Sequence, residues 1–185
     1  MKKFFKEDES FFQGYFELIG TLTHEVEEGA LIDFARLAQR KKSKVIIAGN
    51  GGSAAMASHV AVDFTKAAGI RAINFNEADL ITCFANDYGY ENWVARAIEA
   101  YGDPGDLVVL ISSSGRSPNI INAARYSKQN GFPLVTLSGF DSDNPLKKLG
   151  DINLWVDSNS YNIVEMTHHI WLLSVVDYVI SEANK

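Results

Sequence analysis

Val45-Ile46-Ile47-Ala48-Gly49-Asn50-Gly51-Gly52-Ser53 decides how this chain folds. The first four residues are apolar and mostly β-branched, the pattern of a strand buried on both faces. Gly-Asn-Gly-Gly-Ser then breaks the run, and small residues to about Ala67 predict a helix. Strand, glycine turn and helix N-terminus form the first arm of a parallel crossover. Gly51 and Gly52 allow positive φ and a close approach of backbone to ligand. Amide N–H groups and the Ser53 hydroxyl there offer donors to an anion. The segment also reads as a plain tight turn in which Ser53 caps the helix. It is neither of the common nucleotide loops: no Gly-Lys-Ser/Thr ends it, and Ala54 takes the last position of Gly-x-Gly-x-x-Gly.

The pattern repeats at Val108-Val109-Leu110-Ile111, which runs into Ser112-Ser113-Ser114-Gly115-Arg116-Ser117. Its hydroxyls suit the oxygens of a phosphate, and no residue among them is a ready base, so the cluster reads as a grip rather than a catalyst. Arg116 either adds charge to the grip or faces solvent. Around these two loops, strands are expected at Lys44–Ala48, Ala72–Phe75, Leu107–Ile111, Leu134–Ser138 and Asn153–Val156. Helices are expected at about 8–28, 29–41, 53–67, 78–85, 93–101, 117–129, 145–149 and 163–182. Strands alternating with helices define an α/β fold of three layers, a parallel sheet with helices on both faces. Ligands of such sheets bind at the carboxyl ends of the strands, where both serine loops fall.

Composition narrows the function. The chain has 185 residues, 46% hydrophobic and 22% charged, an ordinary globular balance. A net charge of −6 without a basic stripe argues against nucleic acid as a partner. The lone Cys83 excludes an internal disulfide, suits a reducing cytoplasm, and is expected in the core. No apolar run reaches the roughly 20 residues that span a bilayer, and Met1–Glu9 turns acidic too early for a signal peptide. The last helix is apolar nearly all round, from Ile163 to Ile180, so it needs cover on every side, which implies subunit packing.

Titratable residues fall in three places. His59 and Asp63, four apart, share one helix face, where they could ligate a metal, divide acid and base duties, or simply pair. Asn86 and Asp87 precede Tyr88, Tyr90 and Trp93 in an expected loop that could bind sugar hydroxyls or cap a helix. Glu165, His168 and His169 lie on the last helix, where either histidine can reach the carboxylate. Apolar surroundings would perturb that carboxylate, unless the group is an intersubunit salt bridge.

Taken together, these motifs resemble the SIS (sugar isomerase) domain, specifically its phosphoheptose isomerase branch. The markers are Gly49–Ser53, His59, Ala85-Asn86-Asp87-Tyr88-Gly89-Tyr90, Gly105-Asp106, Ile111–Ser117, Leu137-Ser138-Gly139 and Glu165, and the likeness covers nearly all of residues 1–185. It implies one flavodoxin-like domain, with N-terminal helices to about residue 42 and an interface helix at about 163–182. It further implies a homotetramer with sites between subunits, and conversion of sedoheptulose 7-phosphate to a manno-heptose 7-phosphate for lipopolysaccharide, capsule or related glycans. In that reading Ser53, Ser112, Ser113, Ser114 and Ser117, beside Gly51 and Gly52, hold the phosphate. Asn50, Asn86 and Asp87 hold sugar hydroxyls, Asp63 is the base, and His168 or His169 shuttles protons next to Glu165.

The chain departs from the family pattern where the chemistry lies. Asp63 and Val62 replace two glutamates, Asn162 an arginine, Val164 a glutamine and Leu172 the catalytic histidine. His168, one turn before Leu172, is expected to substitute for it, with His169 as competitor. Zinc, possible in the family, is left with His59 and Asp63 as donors, too few for tight binding. The same departures would suit a non-catalytic phosphosugar-binding adaptor, like the branch associated with the bacterial replication initiator, or an isomerase of another ketose phosphate.

Overall fold

The computed structural model describes residues 10–183; the reading of Met1–Glu9, and the first residues of the expected N-terminal helix, lie outside them. Strands β1 (Val45–Ala48), β2 (Ala72–Ile73), β3 (Leu107–Ser112), β4 (Leu134–Ser138) and β5 (Ile152–Trp155) form one sheet in the order β2-β1-β3-β4-β5. Every pairing is parallel. This is the flavodoxin-like order, whose direction reverses between β1 and β3 and opens a crevice at their carboxyl ends.

Alternation along the strands divides the core in two. Val45, Ile47, Val109, Ile111, Val135 and Leu137 face one layer, where they meet Phe34 of α2 (Glu28–Ala38), Phe64 of α3 (Gly52–Lys66), and Leu172 and Val176 of α7 (Tyr161–Ala183). Helix α1 (Phe11–Thr23) packs on the outer side through Leu22. Ile46, Ala48, Val108 and Leu110 face the other layer, against Trp93 and Ile98 of α5 (Trp93–Tyr101) and Ile120 and Ala124 of α6 (Pro118–Gln129), with α4 (Ala78–Tyr88) beside them.

A polar staple fixes the opposite end of the sheet. Asp106 is fully buried and accepts the Lys44 backbone N–H at 2.8 Å and the Asp103 N–H at 2.8 Å. The Lys44 ammonium bonds both carboxylates. Burial alone would lower the Lys44 pKa, but hydrogen bonds to Asp103 and Asp106 outweigh it and hold the group charged.

Most element boundaries agree with the sequence to within a few residues, with four corrections. Asn86 and Asp87 belong to the last turn of α4, not to a loop, because helical bonding continues to Gly89 N–H, which donates to Ala85 C=O. Residues 145–149 form successive turns rather than a helix, bound into place by Asn144, whose Oδ1 accepts the Lys147 N–H at 2.9 Å. Cys83 is exposed on α4 rather than packed in the core. Helix α7, at 23 residues, is long and apolar enough to cross a bilayer by composition, contrary to expectation. Ile163, Val164, Trp171, Leu172 and Val175 nevertheless bury one side of it in the core, while Met166 and Ile170 stand exposed.

Asp106→Ala should cost about 2–4 kcal/mol in urea unfolding, because it leaves two backbone donors unpaired and the Lys44 ammonium with Asp103 alone.

Candidate functional site

The β1–β3 pairing sets Ala48 beside Leu110, so the loops that leave these strands open side by side. Between them lies a hollow of about 100 Å³ lined by Asn50, Ser53, Ile111, Ser112, Ser113, Ser114, Ser117, Tyr161 and Glu165. Since a water claims about 30 Å³ of liquid, the hollow suits a phosphate group, and the body of any sugar must extend outside it. Gly51, at φ 54°, is the N-cap of α3, so the expected cap Ser53 lies one residue inside the helix. A Cβ at Gly52 would strike the Glu165 carboxylate, so a larger residue there would displace that side chain from its place in the hollow.

The hydroxyls are organised but not saturated. Ser112 Oγ lies 3.0 Å from Ser117 Oγ, and Ser114 Oγ accepts the Arg116 N–H at 3.3 Å. The Ser113 hydroxyl is buried and makes no hydrogen bond of good geometry. A buried hydroxyl whose one neighbouring acceptor is the Glu165 carboxylate, at poor geometry, is a donor that an anionic ligand can take up. Arg116 turns away to Asp141 at 2.8 Å, which settles its alternatives against the grip.

Asn50 is not a free hydroxyl binder. It exchanges two hydrogen bonds, at 3.0 and 2.8 Å, with the buried Asn119 of α6, and Tyr90 Oη lies 3.2 Å from its Oδ1. This amide pair ties the β1 loop to the segment after the serine loop and sets the width of the hollow. Asn119 and Tyr161 have no role in the sequence reading, and Tyr90 stands there only as a marker and an aromatic neighbour of Asn86 and Asp87. Asn119 has a usable signal, a polar residue on the mostly apolar inner face of α6.

Burial raises the Glu165 pKa, opposed by the nearby Ser113 hydroxyl. Neither histidine pairs with this carboxylate. His169 Nε2 lies 3.0 Å from His59 Nδ1, and His59 Nε2 lies 3.2 Å from Asp63 Oδ2, so the three form a line along the seam between α3 and α7. Burial lowers the His169 pKa and His59 adds to that, while Asp63 works against it. His168 does not share the seam. It is wholly buried, with Nε2–H donating to Ser138 C=O at 3.0 Å, and burial pushes its pKa down to about 4. Adjacent helical residues diverge by about 100°, so when His169 faces α3, His168 must face the sheet. Asn86 and Asp87 are exposed, bond to each other at 2.9 Å, and do not line the hollow.

The donors do not fit zinc. His59 spends both nitrogens on His169 and Asp63. The expected further donor positions hold Val164 and Leu172, both buried and apolar. Among the described residues, no three His, Cys, Asp or Glu side chains are grouped to hold a metal ion.

A SIS domain family model matches residues 15–139, and the chain belongs to that family. Among its relatives, the phosphoheptose isomerase of Fusobacterium nucleatum subsp. nucleatum is 34% identical over 175 residues, covering 89% of each chain. That of Sulfurimonas denitrificans is 34% identical over 180 residues, 91% of this chain and 89% of the relative. The structure of phosphoheptose isomerase from Neisseria gonorrhoeae superposes with a TM-score of 0.83 at 25% identity, covering 91% of this chain and 94% of that one.

The buried His168 makes stability depend on pH. Its folded pKa of about 4 lies below the ordinary 6.5, so between these values the unfolded chain binds the extra proton. Stability should therefore fall as pH drops from about 6.5 to 4, by up to roughly 3 kcal/mol. Denaturant unfolding against pH checks this, and His168→Gln should flatten the slope.

Proposed function

We propose that this protein is an aldose–ketose isomerase of phosphorylated sugars, acting on sedoheptulose 7-phosphate in heptose precursor synthesis. The observation that carries the reading is the phosphate-sized hollow of serine hydroxyls with a buried carboxylate, Glu165, in its wall. The name shared by the relatives, phosphoheptose isomerase, supplies the heptose. We read residues 1–185 as one SIS domain of a cytoplasmic homo-oligomer, a tetramer on the resemblance, with neither nucleic acid nor membrane as partner.

The phosphate lies among Ser53, Ser112, Ser113, Ser114 and Ser117, at the N-terminus of α3, whose amides and dipole favour an anion. The sugar leaves the hollow along the α3–α7 seam. His59 lies six residues beyond Ser53, about 9 Å along the helix, a separation that suits a long sugar chain better than a triose. Glu165 takes a proton from C1 of the ketose, the enediol forms, and the proton returns at C2. His169 moves the proton from the C1 hydroxyl to the C2 oxygen. Asp63, the base expected from sequence, is turned on His59 and acts by orienting that ring. Asn86 and Asp87 reach the sugar from a neighbouring copy, which also covers the exposed Val62, Met166 and Ile170.

Incubating the protein with sedoheptulose 7-phosphate should yield the aldose phosphate by ¹³C NMR. Tight binding by calorimetry with no product would instead favour the phosphosugar-binding adaptor. Ser113→Ala should change the stability of the fold little, since its hydroxyl makes no hydrogen bond of good geometry, yet weaken sugar phosphate binding by about 1.5–3 kcal/mol. The rate should fall as pH is lowered through the raised Glu165 pKa, because protonation removes the base, and Glu165→Gln should abolish turnover while ligand binding persists.

A further inference from the structure

We infer that the α3–α7 seam handles protons through a hydrogen-bonded His169–His59–Asp63 array that stands in the place of a bound metal ion; this deepens the isomerase reading and rests on it.

The wiring of His59 is the starting point. Its two nitrogens point in opposite directions, one 3.0 Å from His169 Nε2 and the other 3.2 Å from Asp63 Oδ2. A metal ion would have to displace the hydrogen bond between the two rings to gain them as ligands, Asp63 is engaged on the far nitrogen of His59, and positions 164 and 172 offer no further donor. Val164 and Leu172 are both 0% exposed and packed in the core, so neither position can be recruited by a small movement.

We assign the protons from the same distances: a carboxylate only accepts, so His59 Nε2 carries the hydrogen that faces Asp63. His59 Nδ1 is then a lone pair, and the hydrogen between the two rings belongs to His169 Nε2. His169 is left with an unprotonated Nδ1, the one basic nitrogen of the array. A proton taken from a sugar hydroxyl at that nitrogen gives an imidazolium whose charge is opposed by Asp63 through the His59 ring. The proton then leaves from the same nitrogen to the adjacent oxygen, so the array ends as it began. The rings meet edge to face, with centroids 5.0 Å apart, which holds His169 square to His59. The sequence departures thus form one set: loss of the residues at 164 and 172 removes metal donors, and the histidine at 169 supplies the replacement.

Three readouts on the full-length protein test this. After incubation with zinc chloride and gel filtration, mass spectrometric metal analysis should find fewer than about one zinc in ten chains. Turnover of sedoheptulose 7-phosphate should be unchanged by EDTA. ¹⁵N-resolved NMR of the wild-type histidines should show His59 and His169 both as Nε2–H tautomers, with no change on adding zinc. His169→Gln should lower kcat by about 10²–10⁴-fold with KM little changed, and should break the His59 tautomer preference. Retention of about one zinc per chain with shifted His59 resonances would overturn the inference, as would a His169→Gln protein with full kcat. If that variant fails to fold, the wild-type metal content and tautomers still decide. A zinc-free protein with these tautomers that turns over no ketose phosphate counts against the isomerase reading and not against the metal-free seam.

Discussion

The adjacency of β1 and β3 is the constraint on which everything else depends. A parallel pairing that sets Ala48 against Leu110 delivers two loops, each ending a fully buried strand, to one crevice. Neither loop alone encloses anything. Together they enclose a volume the size of a phosphate group, and the Asn50–Asn119 amide pair holds the spacing. The Lys44–Asp103–Asp106 staple clamps the opposite ends of the same two strands, so the pair is fixed at both extremities.

Helix α7 completes the site because of its composition. One side, through Val164, Trp171, Leu172 and Val176, belongs to the core. Glu165 and His169 lie a turn apart beside α3, and Met166 and Ile170 face outward. A polar line therefore runs from the serine hollow, past Glu165, to the seam of His169, His59 and Asp63. Its groups stand in a partly buried setting, where burial raises the pKa of the Glu165 carboxyl and lowers that of the His169 imidazole, so that the two shift toward each other.

The order of elements and the two loops were legible in the sequence, because buried parallel strands and glycine breaks are local signals. Trp93–Tyr101 and Leu134–Ser138 were read to the residue. The pairing of His59 with Asp63 was legible too, from spacing along one helix. What could not be read was which of two adjacent histidines faces α3, since that depends on how α7 is rotated against the sheet, a tertiary quantity. The tie between Asn50 and Asn119 is hidden for a related reason: the two lie 69 residues apart, and no signal on either one names the other. Asp106, quoted as a family marker, proves to be an architectural residue at the far end of the sheet from the serine hollow.

The phase of α7 has a consequence for how this chain can change. His168 and His169 are chemically identical, yet one is a neutral ring sealed under the sheet and the other is joined to α3. Inserting or deleting one residue inside α7, between His169 and Leu172, would turn both histidines by about 100° relative to the buried side that carries Leu172 and Val176. A change of length in the segment before the helix would instead be absorbed there. The spacing from His168 to Leu172 is therefore what keeps one ring under the sheet and the other beside α3.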